Sequence, residues 1–399
     1  MKNALFLFTL LTIAGCQTKP KSGESGTDTI AQTSMATKPA TGPANGTAIS
    51  YKLPDPAAFT GNIDGKKTAL YLLKGETIQV AITNYGARIV GLLVPDKAGN
   101  LTDVVLGFGS LADYQKANEA FYGPIVGRVG NRIAKGTFTL NGKTYKTALN
   151  NNGNTLHSGP TGFHTRVWEA RQINDKTLEL RYVSPEGEGG FPGTLTTTVI
   201  YSLVGENALR IEYKAINDKA TPVNPTSHAF FNLNGEGSGT INNHVLMIDA
   251  DRYSAVDKGL IPVGEPVSVA GTPFDFRQPT PIGKRVDIKN EQLTFGGGYD
   301  HNWVLNAKVG TLAKVADLVG DKSGIRMAVL TTEPGLQFYG GNFFAGNDIG
   351  KYGRAAQKRE GLALEAQHFP DSPNKPTYPT VVLQPGHLYT QTTVYEFGR

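Results

Sequence analysis

Three of the seven histidines sit among residues able to build a polar binding site. His157 lies in the turn-rich loop Asn151-Asn152-Gly153-Asn154-Thr155-Leu156-His157-Ser158-Gly159. His228 lies in Asn224-Pro225-Thr226-Ser227-His228-Ala229-Phe230-Phe231-Asn232-Leu233, and His301 in Gly297-Gly298-Tyr299-Asp300-His301-Asn302-Trp303. An imidazole with an unperturbed pKa of about 6.5 gives and retakes a proton near neutrality. A lone histidine is more often structural, but crowding with Asn, Gly and aromatic residues suits a site that grips a polar ligand. Two carboxylates share such settings. Asp300 precedes His301, and Glu365 follows the apolar, strand-like Leu362-Ala363-Leu364. A carboxylate at the end of an apolar strand is partly desolvated, which raises its pKa and fits it for general-base work. A salt-bridged carboxylate on a rim is the plainer alternative.

Other chemistries fit less well. The histidines are transition-metal ligands by type, but no HExxH or other tight ligand spacing occurs. Asp300 and Glu365 are also the residue types of a glycoside hydrolase pair. Phosphate-binding GxxxxGK[ST] and GxGxxG loops are absent in a strand–helix setting, and no GxSxG elbow appears. The nearest approach, Gly142-Lys143-Thr144, sits in a hairpin.

The elements that must position these residues read as strands. Leu178, Leu180 and Tyr182 alternate with Glu179 and Arg181; Leu209, Ile211 and Tyr213 alternate with Arg210, Glu212 and Lys214. Such a period of two marks a strand with one face in a core. Phe138 to Tyr145 reads as a hairpin whose Asn141-Gly142 accepts the positive φ of a type I′ turn. Helical windows are scarce; Leu111 to Ala120 and Thr311 to Ala316 are the two candidates. With 48 Gly and no collagen or solenoid period, the chain predicts an all-β class, mostly antiparallel, a sandwich in preference to a barrel. The net charge of +5 is spread without a Lys/Arg run, which excludes a nucleic-acid footprint.

The N-terminus reads differently. Lys2 and the apolar Ala4 to Ala14 form a signal segment too short to span a bilayer. Ile13-Ala14-Gly15-Cys16 resembles the lipobox of bacterial lipoproteins, which implies cleavage before Cys16 and lipidation of it. Gln17, rather than Asp, points to outer-membrane delivery within that family. Cys16 is the sole cysteine, so no intramolecular disulfide can form. Residues 1–15 are therefore read as signal peptide, 16–50 as lipidated cysteine and flexible tether, and 51–399 as the catalytic domain.

Within that domain a second resemblance emerges. Gly127-Arg128-Val129-Gly130-Asn131-Arg132-Ile133-Ala134, Leu156-His157, the 224–233 segment, Tyr299-Asp300-His301-Asn302, Pro334 to Asn342, and Leu364-Glu365-Ala366-Gln367 with Phe369-Pro370-Asp371 resemble, in order, the motifs of the aldose 1-epimerases, or galactose mutarotases. The likeness runs from about Asn84 to the C-terminus. It implies a β-supersandwich with an open sugar cleft and a free monosaccharide, an aldohexose, as substrate. No organic cofactor is implied. Glu365 matches the general base on the anomeric hydroxyl and His228 the general acid on the ring oxygen. Asn131, Arg132, His157, Asp300 and Gln337 match residues that hold sugar hydroxyls. Ser158, Phe230 and Ala366 stand where the family often has Gly, Tyr and Thr, which bears on substrate preference. A calcium ion accompanies some bacterial members, and the resemblance identifies no ligands for it here. A monomer is expected, exported and held to the membrane through the N-terminal lipid. The rivals are a non-catalytic carbohydrate-binding module, a sugar-phosphate epimerase and a glycoside hydrolase.

Overall fold

Alternating apolar and polar residues build the largest sheet. Leu178, Leu180, Leu209 and Ile211 are fully buried, while Arg181 and Lys214 on the intervening positions are exposed. The computed structural model describes residues 49–399, which form one compact unit. The signal segment, Cys16 and the tether to residue 48 lie outside the described residues. Nine antiparallel strands run in the order Glu169–Asn174, Thr177–Ser184, Leu195–Val204, Ala208–Asn217, Tyr389–Gly398, Arg326–Thr331, Ala313–Val319, Val245–Ile248 and Thr280–Pro281. A four-stranded sheet spans Leu70–Lys74, Gln79–Thr83, Arg88–Pro95 and Leu101–Asp103. The architecture is the all-β, antiparallel one expected.

A six-stranded sheet carries the site. Its order is Phe230–Phe231, Leu362–Gln367, Gly335–Tyr339, Asp300–Val304, Arg252–Tyr253 and Val267–Ser268. Its register aligns His301 with Phe338 and Phe338 with Leu364. These residues, with Trp303, Leu336 and Ala366, form the apolar face. That face meets the nine-stranded sheet, where Phe231 and Tyr395 rings lie 5.0 Å apart and Gln391 Nε2 donates to Ala366 O at 3.0 Å. On the opposite face the same register aligns Asn302, Gln337 and Glu365. Because strand side chains alternate, one set of strands supplies both core and cleft.

Local expectations fare unequally. The hairpin pairs Leu140 with Lys143, with Asn141 at φ 51° and Gly142 at φ 76°, as a type I′ turn requires. The first helix is shorter than expected, spanning Leu111–Lys116. Thr311 to Ala316 is not helical: Ala313–Val319 is a strand paired with Arg326–Thr331. Burial of Val315 and Ala316 in the core overrides the weak helical preference of so short a segment.

Candidate active site

Glu365 lies within the strand Leu362–Gln367, not at its end as the sequence suggested. Its side chain is 2% exposed, directly opposite Gln337. His228 sits between the short strands Thr226–Ser227 and Phe230–Phe231, with its N–H bonded to Pro124 O at 2.9 Å. The two side chains meet: His228 Nε2 is 3.6 Å from Glu365 Oε1. Burial pushes the Glu365 carboxyl well up from its ordinary value, assisted by the negative charge of Asp300. Burial pulls His228 down to about 4, against the opposing pull of Asp300. Both shifts disfavour charge.

Around this pair the chain builds a cleft of about 490 Å³, lined among others by Asn131, Arg132, His157, His228, Asp300 and Glu365. That volume falls in the range of small-molecule sites. A two-residue ladder pairs Arg132 with Leu156 and Ile133 with Thr155, so Asn131, Arg132 and His157 arrive together. Asn131 N–H donates to His157 Nδ1 at 3.1 Å, and His157 N–H to Asn131 O at 2.9 Å. An accepting Nδ1 places the proton of the neutral ring on Nε2. Burial, followed by the His228 and Arg132 charges, keeps His157 neutral by pulling its pKa well down. His157 is thus a fixed neutral donor. It holds φ 51°, a left-handed conformation that is costly for a residue with a Cβ. Gly162 presses against it so closely that a Cβ there would lie 2.5 Å from His157 O.

Arg132 Nη2 lies 3.3 Å from Asp300 Oδ2, and its Nε donates to Asn151 Oδ1 at 3.1 Å. Gln337 Nε2 donates to Asp300 Oδ1 at 2.7 Å. Asp300 is therefore gripped from both sides. Gln337, 2% exposed, stands opposite Glu365 on the cleft face of its sheet, where its amide orients Asp300. His301 is absent from the cleft. It is fully buried on the apolar face against Phe274, ring centroids 4.6 Å apart, with Nδ1 accepting from the Asp300 N–H at 3.2 Å. Arg128 turns away too, donating to Ser184 O, Pro185 O and Pro192 O. Ser158, at φ 65°, is held by its hydroxyl, which accepts from Val129 N–H at 2.8 Å and donates to Val129 O at 3.0 Å.

The sequence did not single out Phe121, His164, Glu119, Asn151 or Tyr339, which also line the cleft. Asn151 stood inside the His157 loop and was the most readable of them. Phe121 packs against three imidazoles, at centroid distances of 4.6 Å to His157, 4.8 Å to His164 and 5.6 Å to His228.

His157, His228 and Glu365 each bring one ligand-type atom within 4.8 Å of the others, the sole such trio among the described residues. The trio does not fit a metal. His157 Nε2 carries the ring proton and has no lone pair to offer while Nδ1 accepts from the backbone. Two imidazoles and one carboxylate also fall short of the six to eight oxygens that calcium requires.

The sequence profile of the aldose 1-epimerase family matches residues 69–396. The chain is 43% identical over 330 residues to galactose mutarotase of Bos taurus, covering 82% of this chain and 93% of the relative. It is 38% identical over 337 residues to aldose 1-epimerase of Escherichia coli (strain K12), covering 84% and 96%. A solved aldose epimerase homologue from C. elegans superposes with a TM-score of 0.77 at 31% identity, covering 83% of this chain and 99% of that one. The profile spans most of the chain, and these relatives align over nearly their full lengths: the chain belongs to the aldose 1-epimerase family.

Proposed function

We infer that the chain is an isomerase, an aldose 1-epimerase that interconverts the α and β anomers of free aldoses such as glucose and galactose. The observation that carries this reading is the buried His228–Glu365 pair at 3.6 Å inside a polar cleft. The relatives named galactose mutarotase and aldose 1-epimerase support it.

Mutarotation removes a proton from the C1 hydroxyl and delivers one to the ring oxygen. The C1–O5 bond breaks, C1–C2 turns by half a revolution, and the steps reverse on the other face. Glu365 takes the C1 hydroxyl proton and His228 gives one to the ring oxygen. The pair holds one proton throughout. Ring opening converts carboxylate plus imidazolium into carboxylic acid plus imidazole. Burial favours that neutral form and so assists the transfer. His157 offers an N–H, and the gripped Asp300 and Arg132 offer acceptor and donor for hydroxyls, with Asn131 beside them. Acid–base chemistry of this kind calls for no cofactor.

Two rivals lose ground. A binding module has no use for a proton-sharing pair that burial holds at raised energy when charged. A hydrolase needs a second carboxyl free to act with Glu365, and Asp300, which shares its cleft, is engaged by Arg132 and Gln337. The test is polarimetry on freshly dissolved α-glucose. Enzyme-dependent relaxation supports the reading, and binding without faster relaxation overturns it.

For residues 1–16 the reading is export and lipidation at Cys16, supported by the sequence pattern alone. Loss of labelled-palmitate incorporation in Cys16→Ala tests it.

A further inference from the structure

The segment Asn118–Tyr122 crosses the cleft wall as a strap fastened at two points. At one end the Asp348 carboxylate accepts three hydrogen bonds of 2.9 Å, from Asn118 N–H, Asn118 Nδ2 and Glu119 N–H. At the other, the buried Arg88 guanidinium donates to Ala120 O at 3.0 Å, Tyr122 O at 2.9 Å and His164 O at 2.7 Å. Between these points Phe121 is held by its N–H, which donates to Glu119 Oε1 at 2.9 Å. Its ring then lies over His157, His164 and His228. Asp348 stands on a separate hairpin, Ala345–Ile349 with Ala355–Gln357, and does not line the catalytic cleft.

We propose that Asp348 is a positioning residue for the reaction, holding the strap that seals Phe121 against the catalytic imidazole and keeps water from it. The inference rests on His228 being the catalytic acid. The groups facing His228 are Glu365, His157, His164 and the Phe121 backbone, which raises its proton affinity, with the charges of Asp300 and Arg88 nearby. Glu119, on the strap itself, bears on Glu365. The charge of Asp348 bears on Glu119 and is not among the leading influences on His228 or Glu365. Losing the strap admits water, which eases protonation of His228; because burial is the largest influence on that group, this outweighs the lost Phe121 backbone contact and moves the acid limb of the rate profile upward. Removing a negative charge would move that limb downward, so the direction separates the two causes.

The experiment compares Asp348→Ala, Asp348→Asn, Phe121→Ala and the double variant Asp348→Ala/Phe121→Ala by polarimetry across pH, alongside His228→Asn. Asp348→Ala should lose about tenfold in kcat/KM and shift the acid midpoint up by about one pH unit. Asp348→Asn keeps one acceptor and should fall between it and wild type. Phe121→Ala should shift the midpoint the same way, and Asp348→Ala should add little in its background. An unmoved acid limb in both single variants, or full additivity, overturns the proposal. If Asp348→Ala fails to fold, Phe121→Ala and Asp348→Asn still decide it. Should His228→Asn retain wild-type rates, the catalytic assignment falls instead.

Discussion

His228 Nε2 and Glu365 Oε1 stand 3.6 Å apart, although the carboxylate belongs to a long central strand and the imidazole to a two-residue break between short ones. Both side chains are nearly inaccessible, and each retains a buried polar atom without a partner among the described residues, His228 Nδ1 and Glu365 Oε2. Two groups that burial drives toward neutrality hold one proton between them, so their pH dependence is set by gaining a second proton or losing the last.

The rate profile should therefore be bell-shaped and broad. Below the acid midpoint the pair gains a second proton, Glu365 and His228 are both protonated, and neither is free to accept a proton from the sugar. Burial lowers His228 to about 4, so kcat/KM should persist well below pH 6.5 and fall as pH nears 4. Above the alkaline midpoint the last proton leaves, and the raised affinity of Glu365 places that limb above the ordinary carboxylate range. A polarimetric profile whose acid limb is centred on 6.5 would contradict this.

Gln337 should matter through Asp300. Gln337→Leu removes the 2.7 Å bond to Asp300 Oδ1 and leaves Arg132 as its one side-chain partner. The expected result is a rise in KM of about tenfold with a smaller fall in kcat, worth on the order of 1.4 kcal/mol. Asp300→Ala should cost more than Gln337→Leu, since it removes the carboxylate itself. Equal losses in kcat and kcat/KM, with KM unchanged, would instead place Gln337 in the chemical step.

His301 should affect stability and not chemistry. It faces the core beside Phe274 and serves the Asp300 backbone. His301→Leu should lower unfolding free energy by about 1–3 kcal/mol, by stranding the Asp300 N–H, while kcat stays within about threefold. Denaturant titration and polarimetry on the same variant separate the two effects.

His301 also marks how far the sequence could be read. The alternation that defined strands at 178–182 and 209–213 also sorts Asp300 from His301, one to the cleft and one to the core. Applying that period to 299–303 requires knowing which face is buried, and here both faces are. His228, Asn131, Arg132 and His157 were legible because short turn-rich motifs carry them, and Glu365 because a carboxylate follows an apolar, strand-like run. The strap was not. Its anchor Asp348 lies 230 residues from Asn118, and nothing local to Asn118-Glu119-Ala120-Phe121 signals a partner so distant. The strand at 313–319 was misread because tertiary burial, not local preference, decides so short an element.

Lys351 offers a test remote from the cleft. Its buried ammonium lies 2.9 Å from Glu236 Oε2 and 3.3 Å from Asp103 Oδ2, and donates to Val90 O and Val105 O. Lys351→Met leaves two buried carboxylates unpaired and should cost about 3–5 kcal/mol. Burial already holds Glu236 at about 7, above its unfolded value, so the folded state binds the extra proton between about 4.5 and 7. Without the lysine that affinity rises further. The loss should therefore be smaller at pH 5, where Glu236 is protonated, than at pH 8, where folding must bury its charge. Thermal melts at the two pH values check the sign.

The most direct test of the central claim is the polarimetric kcat of Glu365→Gln and His228→Asn on freshly dissolved α-glucose. Each proton-transfer partner contributes about 10²–10⁴-fold, so both variants should fall at least about a hundredfold in kcat with a smaller change in KM. Near wild-type rates in both variants, with folding intact, would contradict the account.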